Sequence, residues 1–307
     1  MKEKRKNFEL EKKIYESALL KFEGVDGFDV YNTSIPFEWE GKTYIYGRVE
    51  RRDEWARSWV RLFEKTGKDT YTLKPESMIY QLEDPYVAFI DGQMVMGGTH
   101  PRYSKGEPET YYGYFYKGTD LEDLYYFTTG PDFMKDIRLV QLKDGRIGVF
   151  SRPRSETVRK KYGSESLVGF TIINNLDVLT ADVIESAKPI ENLYKPGEWG
   201  GCNQCYALTD RYIGVIGHQC YVDGDLPVYT CVSFIFDIEE HKFFDHKIIA
   251  TSKCFPEHAA KRYITSDTSF TSGIVMRDDG LVDLYSGVGD TGEGRVTIDD
   301  PFKKYRE

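Results

Sequence analysis

The stretch Phe37–Glu50, FEWEGKTYIYGRVE, carries the pattern that determines the fold: an apolar strand, a tight turn at Gly41 and a second apolar strand. Runs rich in Val, Ile, Tyr and Phe on either side of a glycine are typical of a β-hairpin. The same layout returns in VAFIDGQMVMGGTH (87–100), LVQLKDGRIGVFSR (139–152), YALTDRYIGVIGH (206–218) and IVMRDDGLVDLYSG (274–287). The later turns fall at Gly92, Gly145, Asp210 and Gly280, so the hairpins recur at spacings of 51, 53, 65 and 70 residues.

A hairpin that recurs at this spacing indicates a repeat architecture, and four-stranded blades fit the interval. The five repeats predict an all-β, five-bladed β-propeller that forms a single catalytic domain over residues 1–307. A β-sandwich is the alternative. The segment Phe8–Phe22 has apolar residues at helical spacing and ends before Gly24, which predicts a short N-terminal helix packed on the propeller.

Composition excludes several classes of protein. A hydrophobic fraction of 40% in 307 residues argues against disorder. The net charge of −9 argues against nucleic-acid and anionic-membrane partners. The sequence has no apolar run of the roughly 20 residues that span a bilayer, and the charged segment 2–13 does not resemble a signal peptide. Five cysteines are too few for a disulfide framework. We expect a cytoplasmic protein, with a homo-oligomer left open.

Polar residues occupy the hairpin ends that share one edge of each sheet. The start of the first strand and the end of the second strand of a hairpin lie side by side. If the hairpins are equivalent blades, these residues meet at one end of the central channel. Those before the first strands are Asn32, Glu83, Asp84, Lys135, Asp136, Asn203, Gln204, Thr268 and Ser269. Those after the second strands are Arg48, Glu50, Thr99, His100, Arg152, Arg154, His218 and Asp290.

Carboxylates in this set suit acid–base chemistry. Pro85 keeps the preceding Asp84 out of the right-handed helical conformation, and a carboxyl group in an enclosed channel suits a general acid. Asp290, in GVGDTGEG, is suited to accept hydrogen bonds from sugar hydroxyls. The alternative for both residues is an ordinary turn aspartate.

Basic residues in the set suit anion binding. Arg48, Arg152 and Arg154 offer fork-shaped donors for phosphate or carboxylate, with solvated surface arginines as the alternative. His218 ends an apolar strand, where a structural histidine is the alternative. Tyr103 is among the tyrosines suggested as stacking platforms for sugar rings, with Tyr111 and Tyr112.

A metal site is a weaker hypothesis. Cys202 and Cys205, with His218 and Cys220, have spacing that resembles a zinc site, but the surrounding pattern is strand and lacks the helix of a zinc finger. Buried free thiols are the preferred interpretation. P-loop, dinucleotide-binding and nucleophile-elbow motifs are absent from the sequence, so no metal and no organic cofactor are expected.

Five motifs in order resemble glycoside hydrolase family 130. They are YIYGRVE (44–50), LEDPYV (82–87), VFSRP (149–153), YIGVIGH (212–218) and LYSGVGDT (284–291). The family patterns are LLYRVE, EDPR, a strand ending in HRP, LLIYHG and YYGAADT. The short chain is more similar still to the related mannosyltransferase/phosphorylase family, glycosyltransferase family 108, first described as a domain of unknown function. The resemblance covers roughly residues 30–302.

The resemblance implies a role for each matched residue. Asp84 matches the catalytic proton donor, which acts through a sugar hydroxyl while phosphate attacks the anomeric carbon from the opposite face. Arg152 and His218 match phosphate-binding residues, and Asp290 matches the aspartate that binds sugar hydroxyls. Arg48 and Glu50 match residues lining the sugar subsite. The layout of the hairpin ends adds Asn32, Glu83, Asp136 and Asn203 to the predicted substrate-binding residues.

Two departures keep alternatives open. EDPR becomes Glu83–Tyr86 without its arginine, and the stretch that holds a phosphate-binding lysine in the family has only Lys195 nearby. Arg154 or Lys195 is suggested to restore the phosphate site, whereas Glu198 is suggested as the water-activating base of a hydrolase.

The predicted function is inverting, reversible phosphorolysis of β-mannosides, with β-1,2-oligomannosides as the expected substrates. Inorganic phosphate is the co-substrate and mannose 1-phosphate is the product or donor. Transfer from a nucleotide-linked mannose remains open. The further alternatives are an inverting β-mannosidase and a noncatalytic sugar-binding propeller.

Overall fold

The computed structural model describes residues 1–306, with the side chains of residues 107 and 108 left undescribed. Its helices are α1 (Lys2–Glu11), α2 (Glu156–Tyr162) and α3 (Ala181–Glu185), and its 3₁₀ turns are Leu176–Val178, Ser252–Cys254, Tyr263–Thr265 and Lys303–Tyr305. The first eleven strands are β1 (Glu16–Leu19), β2 (Lys21–Glu23), β3 (Asp29–Tyr31), β4 (Phe37–Trp39), β5 (Lys42–Glu50), β6 (Trp59–Gly67), β7 (Thr70–Leu73), β8 (Glu83–Ile90), β9 (Gln93–Ser104), β10 (Glu107–Gly118) and β11 (Tyr125–Thr129). The remaining strands are β12 (Arg138–Gln141), β13 (Ile147–Ser151), β14 (Gly169–Ile173), β15 (Lys188–Pro189), β16 (Trp199–Ala207), β17 (Tyr212–Asp223), β18 (Leu226–Asp237), β19 (Lys242–Ala250), β20 (Ser269–Met276), β21 (Leu281–Val288) and β22 (Gly292–Asp299).

The strands form five sheets, each of which is one blade of a propeller. Blade 1 contains β2–β7, blade 2 contains β8–β11, blade 3 contains β12–β15, blade 4 contains β16–β19, and blade 5 contains β20–β22 together with β1. In blade 1 the inner strand is split into β3 and β4, which both pair with β5. The five-bladed propeller predicted from the hairpin spacing is confirmed, and the β-sandwich alternative is wrong.

Each predicted hairpin is present with its turn at the expected glycine or aspartate. In two of them a non-glycine residue with positive φ precedes the glycine: Glu40 (49°) with Gly41 (77°), and Asp91 (51°) with Gly92 (74°). Two consecutive positive φ angles define the type I′ turn, whose twist matches that of the flanking strands. Local turn chemistry therefore sets the hairpin register.

The hydrophobic core is divided into five clusters, each between two neighbouring blades. Leu139 of β12, for example, packs towards blade 2, whereas the adjacent Val140 packs towards blade 4. Both faces of each sheet are thus buried, which explains why the strands are apolar along most of their length.

The predicted bounds of the N-terminal helix, Phe8–Phe22, were wrong, whereas its packing on the propeller is confirmed by Phe8, which packs against the core between blades 4 and 5. The helix spans Lys2–Glu11, whereas Glu16–Leu19 forms β1 and Lys21–Glu23 forms β2. Leu10, part of the predicted apolar face, is 78% exposed. β1 pairs antiparallel with β22, and β2 pairs parallel with β7. The physical reason is that the outer edge of β22 would otherwise present unpaired backbone groups, and pairing with β1 closes the ring.

Candidate active site

A cavity of about 430 Å³ opens at the end of the channel where the hairpin ends meet. Eight residues predicted for the site line it: Asn32, Arg48, Glu83, Asp84, Arg152, Arg154, His218 and Asp290. The four other predicted residues, Glu50, Asp136, Asn203 and Glu198, do not line it. The blade order separates the charges, because the carboxylates that line the cavity come from blades 2 and 5 and the cations other than Arg48 come from blade 3.

Four of the predicted polar residues have left-handed backbone conformations. The φ angles are 47° for Asn32, 49° for Asp84, 55° for Asp136 and 56° for Asp290. This conformation costs an L-residue about 1–2 kcal/mol, and Asn and Asp tolerate it best. Backbone strain of this kind gathers at functional sites. The amide and carboxyl residues at these hairpin ends are therefore matched to the backbone as well as to the cavity.

Asp84 is held at one oxygen and open at the other. Its Oδ1 accepts hydrogen bonds from Arg48 Nη1 at 2.9 Å and from Asn32 Nδ2 at 2.8 Å. Its Oδ2 has no hydrogen bond to the residues that the structure describes, and the side chain lines the cavity. This geometry fixes the orientation of the carboxyl group while one oxygen is left to exchange a proton with a ligand.

Arg48 joins several carboxylates. Its Nη2 lies 3.2 Å from Glu83 Oε1 and 3.3 Å from Glu50 Oε1, and its guanidinium stacks over the Tyr31 ring. Burial raises the pKa of Glu83 against the opposing effect of Arg48. Arg48 thus holds together the carboxylates of blades 1 and 2.

Glu50 lies behind Arg48 and away from the cavity surface. Its carboxylate accepts hydrogen bonds from Tyr31 Oη and Lys261 Nζ, and from the backbone N–H of Arg57 at 3.0 Å. Burial acts to raise the pKa of Glu50, but Arg48 and Lys261 have the larger combined effect and lower it below the usual value. The prediction that Glu50 contacts substrate is therefore wrong. Both of its carboxylate oxygens accept hydrogen bonds inside the protein, where Glu50 supports Arg48 and the loop after β5.

Arg152 is fixed on the opposite wall. Its Nε donates to Gly200 O at 2.7 Å and its Nη1 donates to Asp136 Oδ2 at 2.6 Å. Burial acts to raise the pKa of Asp136, but the Arg152 guanidinium lowers it well below the usual range. The prediction that Asp136 contacts substrate is also wrong, because this buried carboxylate lies behind the cavity wall and anchors Arg152. The Nη2 of Arg152 has no partner among the described residues.

His218 is buried and oriented by Asn203. The His218 Nδ1 lies 2.7 Å from Asn203 Oδ1, so Nδ1–H donates to the amide oxygen and Nε2 is left as an acceptor. Burial, helped by Arg152, lowers the pKa of His218 well below its usual range, so the ring is neutral. Asn203 reaches His218 because it is the extra residue of a β-bulge between β16 and β17. Asn203 does not line the cavity, so the prediction that it contacts substrate is wrong.

The same bulge explains the cysteine pair. Skipping Asn203 in the register places Cys202 and Cys205 on one face of β16, where both are buried in the core between blades 3 and 4. Burial raises the pKa of Cys202 well above its usual range. No group of His, Cys, Asp or Glu suited to a metal ion is found in residues 1–306, apart from the undescribed side chains.

Asp290 faces the cavity from blade 5. Burial raises its pKa to about 6, with Arg48 opposing and Asp84 adding to the effect. The structure shows no hydrogen bond from its carboxyl to the described residues. Asp290 is thus available to hydroxyl groups of a ligand.

Glu198 is committed elsewhere, contrary to the alternative that assigns it as a hydrolytic base. Its Oε1 pairs with the α-amine of Met1 at 2.9 Å, and its Oε2 accepts hydrogen bonds from Gln219 Nε2 and Lys195 N. Neither Glu198 nor Lys195 lines the cavity. A carboxylate in that environment has no access to the water that would attack a substrate.

Several cavity residues had no role assigned from sequence. Lys135 was grouped with the channel residues, and it lines the wall beside Arg152 and Arg154. Neither Lys135 nor Arg154 forms a salt bridge with the described residues. Further residues from strands and loops also line the cavity: Trp55, Ala56, Tyr111, Trp199, Tyr229, Ile264, Thr265, Thr268 and Phe270. Thr268 was among the hairpin-end residues named from the repeat pattern and Tyr111 was suggested as a stacking platform, whereas the others lie outside the stretches that the repeat pattern singled out.

The fold and the cavity define a five-bladed propeller with carboxylates and cations lining one open cavity. The chain belongs to the DUF1861 family, described as proteins of unknown function, whose model matches residues 6–304. A comparison with curated proteins gave no match.

Solved structures confirm the resemblance found in the sequence. MPT-4, a mannose phosphorylase from Leishmania mexicana in complex with a phosphate ion, is 52% identical, with a TM-score of 0.94 over 100% of this chain and 95% of that chain. MPT-1, a GDP-Man-dependent mannosyltransferase from the same organism, is 46% identical, with a TM-score of 0.92 over 100% and 96%. A β-1,2-mannobiose phosphorylase from Listeria innocua shares the fold at 14% identity, with a TM-score of 0.64 over 89% and 91%.

Proposed function

We propose that this protein is an inverting mannoside phosphorylase that cleaves β-linked mannosides with inorganic phosphate and releases mannose 1-phosphate. The observation that carries the proposal is that one cavity is lined by Asp84 and Asp290, from blades 2 and 5, and by Lys135, Arg152 and Arg154, from blade 3. An inverting displacement needs a proton donor on one face of the sugar and a nucleophile on the other. Similarity to the phosphate-bound MPT-4 supports the same reaction class.

Asp84 supplies the proton in this mechanism. As in the related phosphorylases, the proton passes through a sugar hydroxyl to the glycosidic oxygen as the bond from that oxygen to the anomeric carbon breaks. Arg48 and Asn32 hold Asp84 Oδ1, so Oδ2 is the atom that carries the proton. In the synthetic direction the same oxygen takes the proton back.

The cationic wall binds the attacking phosphate. Arg152, which lines the cavity, is preorganised because two of its nitrogens are tied to Asp136 and Gly200, and its Nη2 has no partner among the described residues. Preorganised donors stabilise developing charge without reorganisation at the moment of reaction. Neutral His218 lines the same wall, with its Nε2 buried 4.0 Å from Asp136 Oδ2. A phosphate oxygen forms the new bond to the anomeric carbon, and the configuration inverts.

Lys135 takes the role of the phosphate-binding lysine that the related family has in the stretch where this chain offers only Lys195. Its side chain reaches the cavity from the segment before β12, adjacent to the Asp136 that anchors Arg152. Lys135 and Arg154, which form no salt bridge with the described residues, thus line the same cavity as the fixed guanidinium. This arrangement suits a dianion better than a neutral hydroxyl or water nucleophile.

Transfer from a nucleotide-linked mannose is the second candidate, because MPT-1 is 46% identical over the whole chain. The cationic wall that suits inorganic phosphate also suits the diphosphate of a nucleotide sugar. The β-mannosidase alternative loses its base, since Glu198 lies outside the cavity.

The experiment is incubation with β-1,2-mannobiose and longer oligomannosides, with and without phosphate, and in a parallel arm with GDP-mannose and an oligomannoside acceptor. Mannose, mannose 1-phosphate and chain length are measured. We expect mannose 1-phosphate only when phosphate is present, loss of the product in Asp84→Asn and retention in the surface variant Asp120→Asn. Free mannose at equal rates in both buffers contradicts the proposal, and chain extension only with GDP-mannose supports the transferase.

No organic cofactor is required by this mechanism. No helix in residues 1–306 is long and apolar enough to cross a membrane. Cytoplasmic location is proposed from the sequence features, and the proposed partners are β-mannooligosaccharides with phosphate or mannose 1-phosphate.

A further inference from the structure

A second cavity of about 530 Å³ lies on the outer flank of blades 1 and 2. We call it the flank groove, and its wall is formed by Arg57, Ser58, Trp59, Ile79, Gln81 and Tyr103. Ile79 is 61% exposed, and the neighbouring Met78 is 47% exposed. The groove therefore combines two aromatic side chains and an exposed aliphatic surface with a few polar groups, the composition of a small-molecule site.

The flank groove continues the surface of the active-site cavity. Thr99 and Pro101 of β9 line the cavity, and Tyr103 lines the groove. Alternate residues of a strand lie on one face, so these three side chains form a row, with Tyr103 about 7 Å along the strand from Pro101. A chain leaving the cavity along β9 reaches the groove without crossing the sheet.

One loop forms a wall of both cavities. Trp55 and Ala56 line the active-site cavity, whereas Arg57 to Trp59 line the groove. The backbone N–H of Arg57 donates to Glu50, which ties this loop to the charge network behind Arg48. Burial and the nearby Glu83 carboxylate raise the pKa of Tyr103, consistent with a side chain between the groove and the acidic wall.

We propose that the flank groove binds the non-reacting end of an oligomannoside whose other end occupies the active site. This inference rests on the proposed function for the sugar class. Aromatic rings offer flat apolar faces that pack against the C–H faces of sugar rings, and their polar edges accept or donate hydrogen bonds. Trp59 and Tyr103 supply the rings, and Gln81 and Arg57 supply donors at the rim. A linear chain is the occupant because the groove lies in line with the row of residues on β9.

The test compares substrates of increasing length. Wild type, Tyr103→Ala and Ile79→Asp are assayed for kcat/KM on mannobiose and mannohexaose with phosphate, and Tyr125→Ala serves as the matched control on an exposed tyrosine outside the groove. We expect both groove variants to lose about tenfold in kcat/KM on the hexasaccharide, which corresponds to about 1.4 kcal/mol of lost apolar contact with the sugar, with mannobiose unchanged. Equal losses on both substrates, or none on either, overturn the proposal.

A binding titration separates this proposal from the proposed function. Mannohexaose and mannobiose are titrated by calorimetry into the Asp84→Asn background, with and without each groove substitution, so that no turnover is needed. If wild type cleaves no mannoside but hexasaccharide binding weakens in both groove variants, the groove stands and the phosphorylase proposal fails. If hexasaccharide binding is the same in all proteins, the groove proposal fails whatever the activity.

Discussion

Glu293 is a fully buried carboxyl group that forms no salt bridge with the described residues, and Glu293→Gln tests how this burial affects stability. Its Oε1 accepts a hydrogen bond from Ser272 Oγ at 2.7 Å, and its Oε2 accepts one from Thr33 N at 3.1 Å. Burial raises its pKa to about 8, although these hydrogen bonds act to lower it. The group is therefore protonated in the folded protein over a pH range in which it is ionised in the unfolded chain.

The magnitude follows from the two pKa values. An unfolded glutamate has a pKa of about 4.3, and each pKa unit corresponds to about 1.4 kcal/mol, so the folded protein loses about 5 kcal/mol as pH rises from about 4 to above 8. The sign is fixed because the folded state binds the extra proton in this window, so the free energy of unfolding falls as pH rises. In Glu293→Gln the amide oxygen accepts from Thr33 N and the amide N–H donates to Ser272, without a titrating proton.

The assay is urea unfolding of wild type and Glu293→Gln between pH 4.5 and 9, with the exposed Glu240→Gln as control. We expect the free energy of unfolding of Glu293→Gln minus that of wild type to increase with pH by up to about 5 kcal/mol. Titrations of other groups cancel in this difference because both proteins share them. A difference that does not change with pH refutes the argument that burial keeps Glu293 protonated.

Three further substitutions test the two walls of the cavity and the segment behind it. Asp84→Asn is expected to lower kcat at least 100-fold with little change in the KM for mannoside, measured as release of mannose 1-phosphate; more than a tenth of wild-type kcat contradicts its role as proton donor. Lys135→Met is expected to raise the KM for phosphate about tenfold and to leave the KM for mannoside unchanged, and an unchanged phosphate KM removes Lys135 from the anion site. Glu198→Gln is expected to lower the melting temperature by a few degrees and to retain kcat, because a buried ion pair loses one charge. Loss of kcat at an unchanged melting temperature would instead favour Glu198 as a base.

The repeated hairpins made the propeller predictable because their information is local. Gly41 and Gly92 sit in type I′ turns, and the flanking apolar residues need no distant contact to form strands. The N-terminal segment was mispredicted for the opposite reason. Its spacing suits a helix, but residues 16–19 pair with β22, a partner about 280 positions away in sequence.

Site prediction succeeded where a residue ends a hairpin strand and failed where depth in the fold decides the outcome. Asp84 and Glu50 both occupy hairpin ends, yet Asp84 lines the cavity and Glu50 is covered by Arg48, Lys261 and Tyr31. Asp136 and Asn203 likewise lie one layer behind the side chains they orient. Sequence spacing places these residues at the correct end of the channel but does not distinguish the surface of the cavity from its support.

The sequence by itself determined the five hairpins, the channel end at which polar residues gather and the pairing of Asp84 with Pro85, because each depends on turn chemistry and strand alternation over a few residues. Only the tertiary structure decided which of these residues line the cavity, that Lys135 lines it together with Arg152, and that Glu198 lies outside the cavity. The physical reason is that burial, ion pairing and the closure of the ring by β1 arise from contacts between segments far apart in the chain, and local pattern carries no record of them.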